Sequence, residues 1–248
     1  GFAGADLEDR INALSITSLL DVDLEDEVMR SLAYGPSHRY EIAEENGEKK
    51  EISCDKVLLS AGRKPSTANM GLETLGLQMD RAAIVVDRHL CTTVQNVYAI
   101  GDCNGKVMLA HTAYREAEVA VNHMLGKPDE MRYDVIPAVI YTDPEVASVG
   151  HSKEGAQKLG MNVKEVKLPM SYAGRYLAEN EGGKGFIKLV VDTDRNRLVG
   201  CHMVGSYASE IIMTATMMVD TELTPNRLQK LVFPHPTVSE VIREALFL

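Results

Sequence analysis

The most informative gaps in this 248-residue sequence concern cysteine pairs and glycine-rich turns. Its cysteines, Cys54, Cys91, Cys103 and Cys201, are too far apart to form a close-spaced redox or zinc motif. No G-x-G-x-x-G segment occurs, so the usual glycine-rich turn for a dinucleotide is missing. Scattered cysteines indicate free thiols in a reducing compartment, which predicts a cytoplasmic protein. A secreted protein with unpaired thiols is the alternative.

An excess of positive charge and long apolar runs are also missing. The 26 basic and 36 acidic residues give a net charge of −10, the wrong sign for binding a phosphate backbone. Apolar stretches such as residues 211–219 contain threonine and are far shorter than the roughly 20 residues that span a bilayer. Residues 1–9 lack the pattern of a signal peptide. We therefore expect no nucleic-acid partner and no membrane partner. No metal site is expected either.

A segment near the end of the sequence has the pattern of a positioned acid/base group. Pro236 biases His235 toward an extended backbone, and Thr237 with Glu240 has the S/T-x-x-E form of a helix capping box. Histidine titrates near neutral pH, and a carboxylate on one ring nitrogen strengthens the other nitrogen as a base. The same residues also fit a plain capping box with His235 in an exposed loop. Both interpretations stay open from this segment alone.

Further segments precede this histidine in a recognisable order. The apolar run 97–100 leads into Gly101-Asp102, and residues 108–111 follow at the start of a helical pattern. Together with His235 and Glu240, these segments resemble the flavin-dependent pyridine-nucleotide disulfide oxidoreductases, most closely their dihydrolipoyl dehydrogenase branch. Supporting stretches lie at residues 56–65, 141–150 and 200–210, and the resemblance extends from about residue 40 to the end.

The resemblance implies roles for individual residues. His235 would be the base that removes a proton from an incoming dithiol, and Glu240 would orient its imidazole. The residues implied to lie near FAD are Asp102, Met108, Leu109, Ala110 and His111. Gly62 matches a position whose backbone lies against the nicotinamide cofactor. From the residues alone, Asp102 is also typical of a turn or N-cap, and Gly62 of an exit turn.

The resemblance also implies the cofactors and partners of the complete enzyme. These are FAD and NAD, a second copy of the chain in a homodimer, and dihydrolipoamide or a lipoyl-bearing protein as substrate. Because the Cys-x-x-x-x-Cys pair and both glycine-rich turns of the family are missing, the sequence resembles its C-terminal half. We expect this chain by itself to retain no cofactor and to be inactive. The alternatives are a stand-alone homodimerisation module and a fragment of a glutathione reductase-like enzyme.

The expected fold class is α+β: a C-terminal dimerisation domain with an antiparallel sheet and flanking helices, preceded by partial α/β nucleotide-binding remnants. By resemblance, residues 1–65 belong to an NAD-binding domain, 66–133 to the returning segment of an FAD-binding domain, and 134–248 to the dimerisation domain. Alternation around Asn46-Gly47 predicts a hairpin between residues 40 and 55. Helices are expected within residues 1–35, and a strand at residues 57–60.

Periodicity predicts the remaining elements. Strands are expected at residues 83–86, 97–100, 138–142, 146–149, 163–168, 186–191 and 198–204. Helices are expected at residues 111–125, 207–220, 225–231 and 238–246. In the first helix, one apolar face would contain Ala113, Ala117, Val121 and Met124. The second helix is rich in methionine, which is typical of a core and, by resemblance, of an interface between chains.

Overall fold

In the computed structural model of this chain, the described residues are 39–45, 48–53 and 62–248. The chain divides into two compact units, residues 1–68 and 69–248. In the first unit, strand β1 (Arg39–Glu45) pairs antiparallel with strand β2 (Glu48–Ser53). This pairing confirms the predicted hairpin. The helices predicted within residues 1–35 and the strand at 57–60 lie outside the described residues.

The second unit contains a five-stranded antiparallel sheet in the order β5-β6-β9-β8-β7. Its strands are β5 (Ala138–Ile140), β6 (Val146–Gly150), β7 (Val163–Pro169), β8 (Phe186–Asp192) and β9 (Arg197–Val204). Between β8 and β9, the carboxylate of Asp192 accepts hydrogen bonds from the backbone N–H groups of Asp194 and Arg195, both at 3.0 Å. These bonds close the tight turn that the sequence predicts. The strand predictions for this sheet are confirmed to within two residues.

Two helices pack against this sheet and carry most of its apolar cover. Helix α4 (Ala208–Asp220) contacts β6 and β9, and helix α6 (Glu240–Leu246) contacts β7 and β8. The shorter helices are α2 (Lys153–Lys158), α3 (Gly174–Glu179) and α5 (Pro225–Leu228). Helix α5 ends earlier than predicted, and α6 begins later. Helices α2 and α3 were not predicted, because six residues are too few for a helical period to stand out.

The apolar core of this region lies between the sheet and its helices. Ile187, Leu189 and Met203 on the strands and Ile242 on α6 are at most 1% exposed. On helix α4, Ile211, Ile212 and Met218 are buried, whereas Met213 and Met217 are 55% and 59% exposed. The predicted methionine-rich helix therefore has a core face and a separate exposed face. The mixed helices and antiparallel sheet confirm the α+β class.

Residues 69–136 form a smaller apolar cluster around Leu90 and Val119, which are both fully buried. Strands β3 (Met79–Asp80) and β4 (Ala83–Ile84) pair here over two residues each. The strand predicted at residues 97–100 is wrong, because only an isolated bridge joins Tyr98 to Cys91. A buried apolar run forms a strand only where neighbouring backbone continues the ladder. No such ladder flanks this run among residues 62–248.

Helix α1 (Ala110–Met124) confirms the first predicted helix, but the apolar face assigned to it is wrong. Val121 and Met124 are 51% and 57% exposed. The buried positions are Thr112, Glu116, Val119 and Ala120. The prediction failed because it treated every buried position as apolar, while this helix buries a carboxyl group. Among the described helices, none has both the length and the apolar character needed to cross a membrane.

Candidate acid/base and cofactor sites

The loop that leads into α6 brings His235 and Glu240 into contact. Nδ1 of His235 lies 3.0 Å and 3.2 Å from the two carboxylate oxygens of Glu240. The backbone N–H of Thr237 donates to Oε2 of the same carboxylate at 2.9 Å. The Thr237 hydroxyl instead donates to the carbonyl of Pro234 at 2.8 Å, and Ser239, the N-cap of α6, makes no capping bond with its side chain, so the predicted capping box forms only in part. One carboxylate therefore binds both the Thr237 backbone and the imidazole.

Electrostatics favour the charged form of this carboxylate. The Thr237 backbone N–H, and then His235, hold the pKa of Glu240 below its usual range. The side chain of Glu240 is 18% exposed and that of His235 is 78% exposed. Of the residues that the structure describes, none is a hydrogen-bond partner for Nε2 of His235. The ring is thus held at one nitrogen and open to an incoming group at the other.

An open groove lies beside this loop. Its lining comes from the loop, from the start of α4 and from α3: Thr237, Val238, Ser239, Tyr207, Glu210, Ile211 and Arg175. Tyr207 has a left-handed backbone, with φ of 67°, where it precedes α4. A bulky residue rarely adopts that conformation, so the local backbone at the edge of the groove is strained.

Asp102 lies in a short 3₁₀ helix, Gly101–Asn104. Gly101 has a φ of 72°, a left-handed conformation that favours glycine. The Asp102 side chain is exposed, whereas its backbone carbonyl accepts from the N–H of Gly105 at 3.1 Å. Within residues 62–248, no group donates a hydrogen bond to its carboxylate. The carboxylate is therefore free to accept bonds from the hydroxyl groups of a ligand.

The other predicted flavin contacts lead into helix α1. Met108 and Leu109 are half-buried, and Ala110 and His111 are exposed. Leu109 is the N-cap and makes no capping bond with its side chain, so the first-turn N–H groups remain available. His111 uses Nε2 to contact the carbonyl of Pro137 at 2.8 Å. A helix N-terminus without a side-chain cap suits an electron-rich ring, so these residues fit a flavin.

Gly62 belongs to the first unit, apart from the other predicted site residues. Its φ is 100°, and a Cβ placed there would meet no atom of the described residues within 4 Å. In the second unit, no hydrogen bond or ion pair among the described residues joins the His235–Glu240 pair to the residues around Asp102.

Sequence reasoning missed Glu116, the buried carboxyl group of helix α1. It accepts hydrogen bonds from the N–H of Gly101 at 2.5 Å, from the Asn104 amide at 3.0 Å and from the Tyr133 hydroxyl at 2.7 Å. The signal that could have found it is its spacing. Glu116 follows Thr112 by four positions and precedes Val119 and Ala120 by three and four, so all share one helix face.

The comparison with protein families defines the class of this protein. Residues 136–246 match the family described as pyridine nucleotide-disulphide oxidoreductase, dimerisation domain. Residues 9–117 match pyridine nucleotide-disulphide oxidoreductase. The chain belongs to the pyridine nucleotide-disulphide oxidoreductase family, as the order of its motifs predicts.

Within this family, the chain is similar to dihydrolipoyl dehydrogenases. It is 37% identical to that of Geobacillus stearothermophilus over 223 residues, which cover 88% of this chain and 47% of the relative. It is 41% identical to that of Thermus scotoductus over 204 residues, which cover 82% and 44%. The chain therefore spans about half the length of the curated relatives it matches.

Solved structures give the same picture of the fold. LpdA from Mycobacterium tuberculosis superimposes with a TM-score of 0.73 at 28% identity, covering 80% of this chain and 44% of that one. The flavoprotein disulfide reductase RclA, induced by HOCl in Escherichia coli, gives a TM-score of 0.70 at 27% identity, covering 80% and 46%.

Proposed function

We propose that this chain is the C-terminal portion of a flavin-dependent dihydrolipoyl dehydrogenase that oxidises dihydrolipoamide with NAD⁺. It would contribute the His235–Glu240 acid/base pair and the dimer interface to the complete enzyme. The observation that carries the proposal is the imidazole held at Nδ1 by a carboxylate and open at Nε2. The similarity to dihydrolipoyl dehydrogenases over about half their length supports it.

The chemistry assigned to this pair is proton removal from a thiol. A thiol must lose its proton before the sulfur attacks a disulfide, because the thiolate is the nucleophile. Nε2 of His235 accepts that proton, and Glu240 keeps the Nδ1 proton in place and stabilises the charged ring. The disulfide that is attacked comes from residues outside this sequence, which contains no Cys-x-x-x-x-Cys pair.

Asp102 and the residues that lead into α1 are assigned to FAD. Asp102 would accept bonds from the ribityl or pyrophosphate part, and the residues beside the ring would be Met108, Leu109, Ala110 and His111. When bound, FAD supplies the two-electron relay between the reduced cysteines and NAD⁺. Gly62 would let the nicotinamide cofactor approach the backbone. His111 is given no acid/base role, since its contact with Pro137 is structural.

A chimaera gives the direct test of this proposal. The half of the Geobacillus stearothermophilus enzyme that this chain does not cover would be joined to the chain, and NADH formation from dihydrolipoamide measured. His235→Gln should lower the rate about 100- to 10,000-fold, the usual worth of a positioned acid/base group. His151→Gln, a histidine outside the proposed site, is the matched control. An active chimaera that tolerates His235→Gln would exclude the base assignment.

A second chimaera, with the corresponding half of a glutathione reductase, tests the glutathione reductase-like alternative. Faster turnover there with glutathione disulfide and NADPH than in the first chimaera with dihydrolipoamide and NAD⁺ would favour that alternative. The chain by itself should show no flavin absorbance, because the glycine-rich dinucleotide turn is missing from its sequence, and no turnover, because the redox cysteine pair is missing too. Turnover by the purified chain would contradict that part of the proposal. We place the enzyme in the cytoplasm, with a lipoyl-bearing protein or free dihydrolipoamide as substrate.

A stand-alone homodimerisation module is the second candidate, and the exposed methionines of α4 favour it. Met213 and Met217 lie one helical turn apart and are both more than half exposed. Met217→Glu should dissociate the dimer in analytical ultracentrifugation, because it places a charge in an apolar contact. Leu159→Glu, at an exposed position outside α4, is the control. A monomeric wild-type chain would rule this candidate out and would remove the interface from the first proposal.

A further inference from the structure

The carboxyl group of Glu116 is fully buried at the meeting point of three segments. Its Oε2 accepts from the Gly101 N–H at 2.5 Å, and Oε1 accepts from the Tyr133 hydroxyl at 2.7 Å. The Asn104 amide lies 3.0 Å from both oxygens. Of the described residues, those that donate to Glu116 are all neutral, and none is a basic partner. Helix α1 is thus tied to the Gly101–Asn104 turn and to Tyr133 through one side chain.

The turn that Glu116 holds carries Asp102. The Glu116 carboxyl group accepts hydrogen bonds from the backbone N–H of Gly101, the first residue of the turn, and from the side-chain amide of Asn104, the last residue. Asn104, which is 5% exposed, also accepts the N–H of Lys106 at 3.0 Å through Oδ1. Gly101 has a left-handed backbone conformation, with φ of 72°, which sets the direction of the chain that follows it into the turn. With both ends fixed in this way, Asp102 is left on the exposed side of the turn.

We infer that Glu116 is a positioning residue that holds the Gly101–Asn104 turn and thereby presents Asp102 to FAD. The inference rests on the proposed function only in naming FAD as the ligand. Burial of a carboxyl group is costly, and this one touches neither the exposed Asp102 carboxylate nor solvent. Its hydrogen bonds go to Gly101 and Asn104, the two ends of the turn. These bonds offset the cost of burying the carboxyl group and fix the conformation of the turn.

Tyr133 completes the arrangement from outside the turn. Burial, together with its hydrogen bond to Glu116, raises the pKa of Tyr133, so its hydroxyl stays protonated and keeps donating. Lys106 lies over the ring, 5.0 Å from its centroid, and connects the end of the turn to the same tyrosine. Tyr133 therefore fixes the orientation of the Glu116 carboxyl group, and the other oxygen is left for Gly101.

Nuclear magnetic resonance on the full chain tests the inference without any flavin. The readouts are the amide proton shift and the hydrogen exchange of residues 101–105 in the wild type, Glu116→Leu and Glu116→Gln. A short bond to a carboxyl group should give the Gly101 amide a downfield shift and slow exchange. Glu116→Leu removes every acceptor and should speed exchange at Gly101 at least about tenfold. Glu116→Gln keeps one acceptor oxygen and should restore much of the protection.

Glu118 provides the matched control, because it lies on the same helix with its side chain 66% exposed. Glu118→Leu and Glu118→Gln should leave the Gly101 shift and its exchange unchanged. Fast hydrogen exchange at the Gly101 amide in the wild type would overturn the inference. The same holds if the shift and exchange of that amide are unchanged in folded Glu116→Leu. If Glu116→Leu fails to fold, the test rests on Glu116→Gln. A Gly101 amide proton shift identical to that of the wild type would then overturn the inference. A partial loss of the downfield shift would support it.

The chimaera separates this inference from the proposed function. FAD binding is measured there by quenching of flavin fluorescence in Asp102→Asn, Glu116→Leu and Glu116→Gln. Weaker binding in Asp102→Asn and Glu116→Leu, with recovery in Glu116→Gln, supports both. If Asp102→Asn weakens binding and Glu116→Leu does not, presentation by Glu116 is wrong while the proposed function stands. If Asp102→Asn has no effect while Gly101 loses protection in Glu116→Leu, Glu116 holds the turn but the FAD assignment fails.

Discussion

The two parts of the second unit are held together by different means. Residues 134–248 have long paired strands and a continuous apolar core between the sheet and helices α4 and α6. Residues 69–133 have strands of two residues, a small apolar cluster, and a buried carboxyl group that binds two loops to a helix. In residues 69–133, where few backbone hydrogen bonds join strands, a buried polar side chain fixes the loops instead. Substitution of that one side chain therefore leaves several hydrogen-bond donors unpaired.

The difference separates the two candidate sites as well. His235 lies in an exposed loop that the large core anchors on its C-terminal side, because Val238, Val241 and Ile242 are all buried. Asp102 lies in a turn whose order depends on Glu116. We therefore expect the acid/base pair to tolerate changes in residues 69–133, and the proposed FAD contacts to be sensitive to them.

Leu189→Ala should give the largest loss of stability. Leu189 lies on β8 at 1% exposure, so its truncation leaves a cavity in the large core. We expect the free energy of unfolding to fall by about 2 to 5 kcal/mol, measured by denaturant titration with circular dichroism. Leu177→Ala, at a position 54% exposed on α3, should change it by less than about 0.5 kcal/mol. Equal effects of the two substitutions would contradict the assigned core.

Leu90→Ala addresses the smaller cluster and shows whether the two parts unfold independently. Leu90 is fully buried, and its backbone carbonyl accepts from Ala99 at 3.1 Å. We expect a local loss of about 2 kcal/mol, seen as faster hydrogen exchange in residues 84–104 and not in β8 or β9. Leu75→Ala, at 47% exposure, is the control. Equally faster exchange in the sheet would mean that the two parts unfold together and are not stabilised independently.

The sequence predicts the first of these regions better than the second. Strands β7, β8 and β9 are short segments rich in valine and other apolar residues, with turn residues between β8 and β9, and this local pattern is sufficient to predict them. The contact between His235 and Glu240 also follows locally, from a proline and a capping pattern only five residues long. The cofactor roles of Asp102 and of the start of α1 come from the family resemblance and stay predictions.

What the sequence could not supply depends on partners far along the chain. Residues 97–100 have the composition of a strand, yet whether they form one depends on a ladder that local sequence does not encode. Glu116 resembles any polar helical residue until Gly101 and Tyr133 are placed around it. For the same reason, periodicity could not separate the buried Met218 of α4 from the exposed Met217. In each case tertiary packing, and not local propensity, decides the outcome.

Tyr133→Phe should have a smaller effect than the core truncations. Loss of one hydrogen bond to Glu116 should cost about 1 kcal/mol, measured by denaturant titration at neutral pH. Because folding raises the pKa of Tyr133 above its ordinary 10.0, its contribution is complete below pH 10 and is lost as the pH rises through the folded value. Above pH 10 the wild type should therefore lose stability faster than Tyr133→Phe. Parallel pH profiles would show that Tyr133 ionises freely and is not held by Glu116.

The smallest effect is expected at the His235–Glu240 pair, because the imidazole is mostly in solvent. Folding lowers the pKa of Glu240 below its ordinary 4.5, so its contribution to stability is present above pH 4.5 and is lost as the pH falls through the folded value. In a carbon-13 titration, His235→Gln should raise the pKa of Glu240 only in part, since the Thr237 N–H is its stronger partner. Thr237→Ala keeps that backbone donor and is the control. If the pKa of Glu240 returned to 4.5 in His235→Gln, the imidazole alone would account for its lowering. The geometry of the loop would then come from the His235–Glu240 contact and not from the start of helix α6 on the large core.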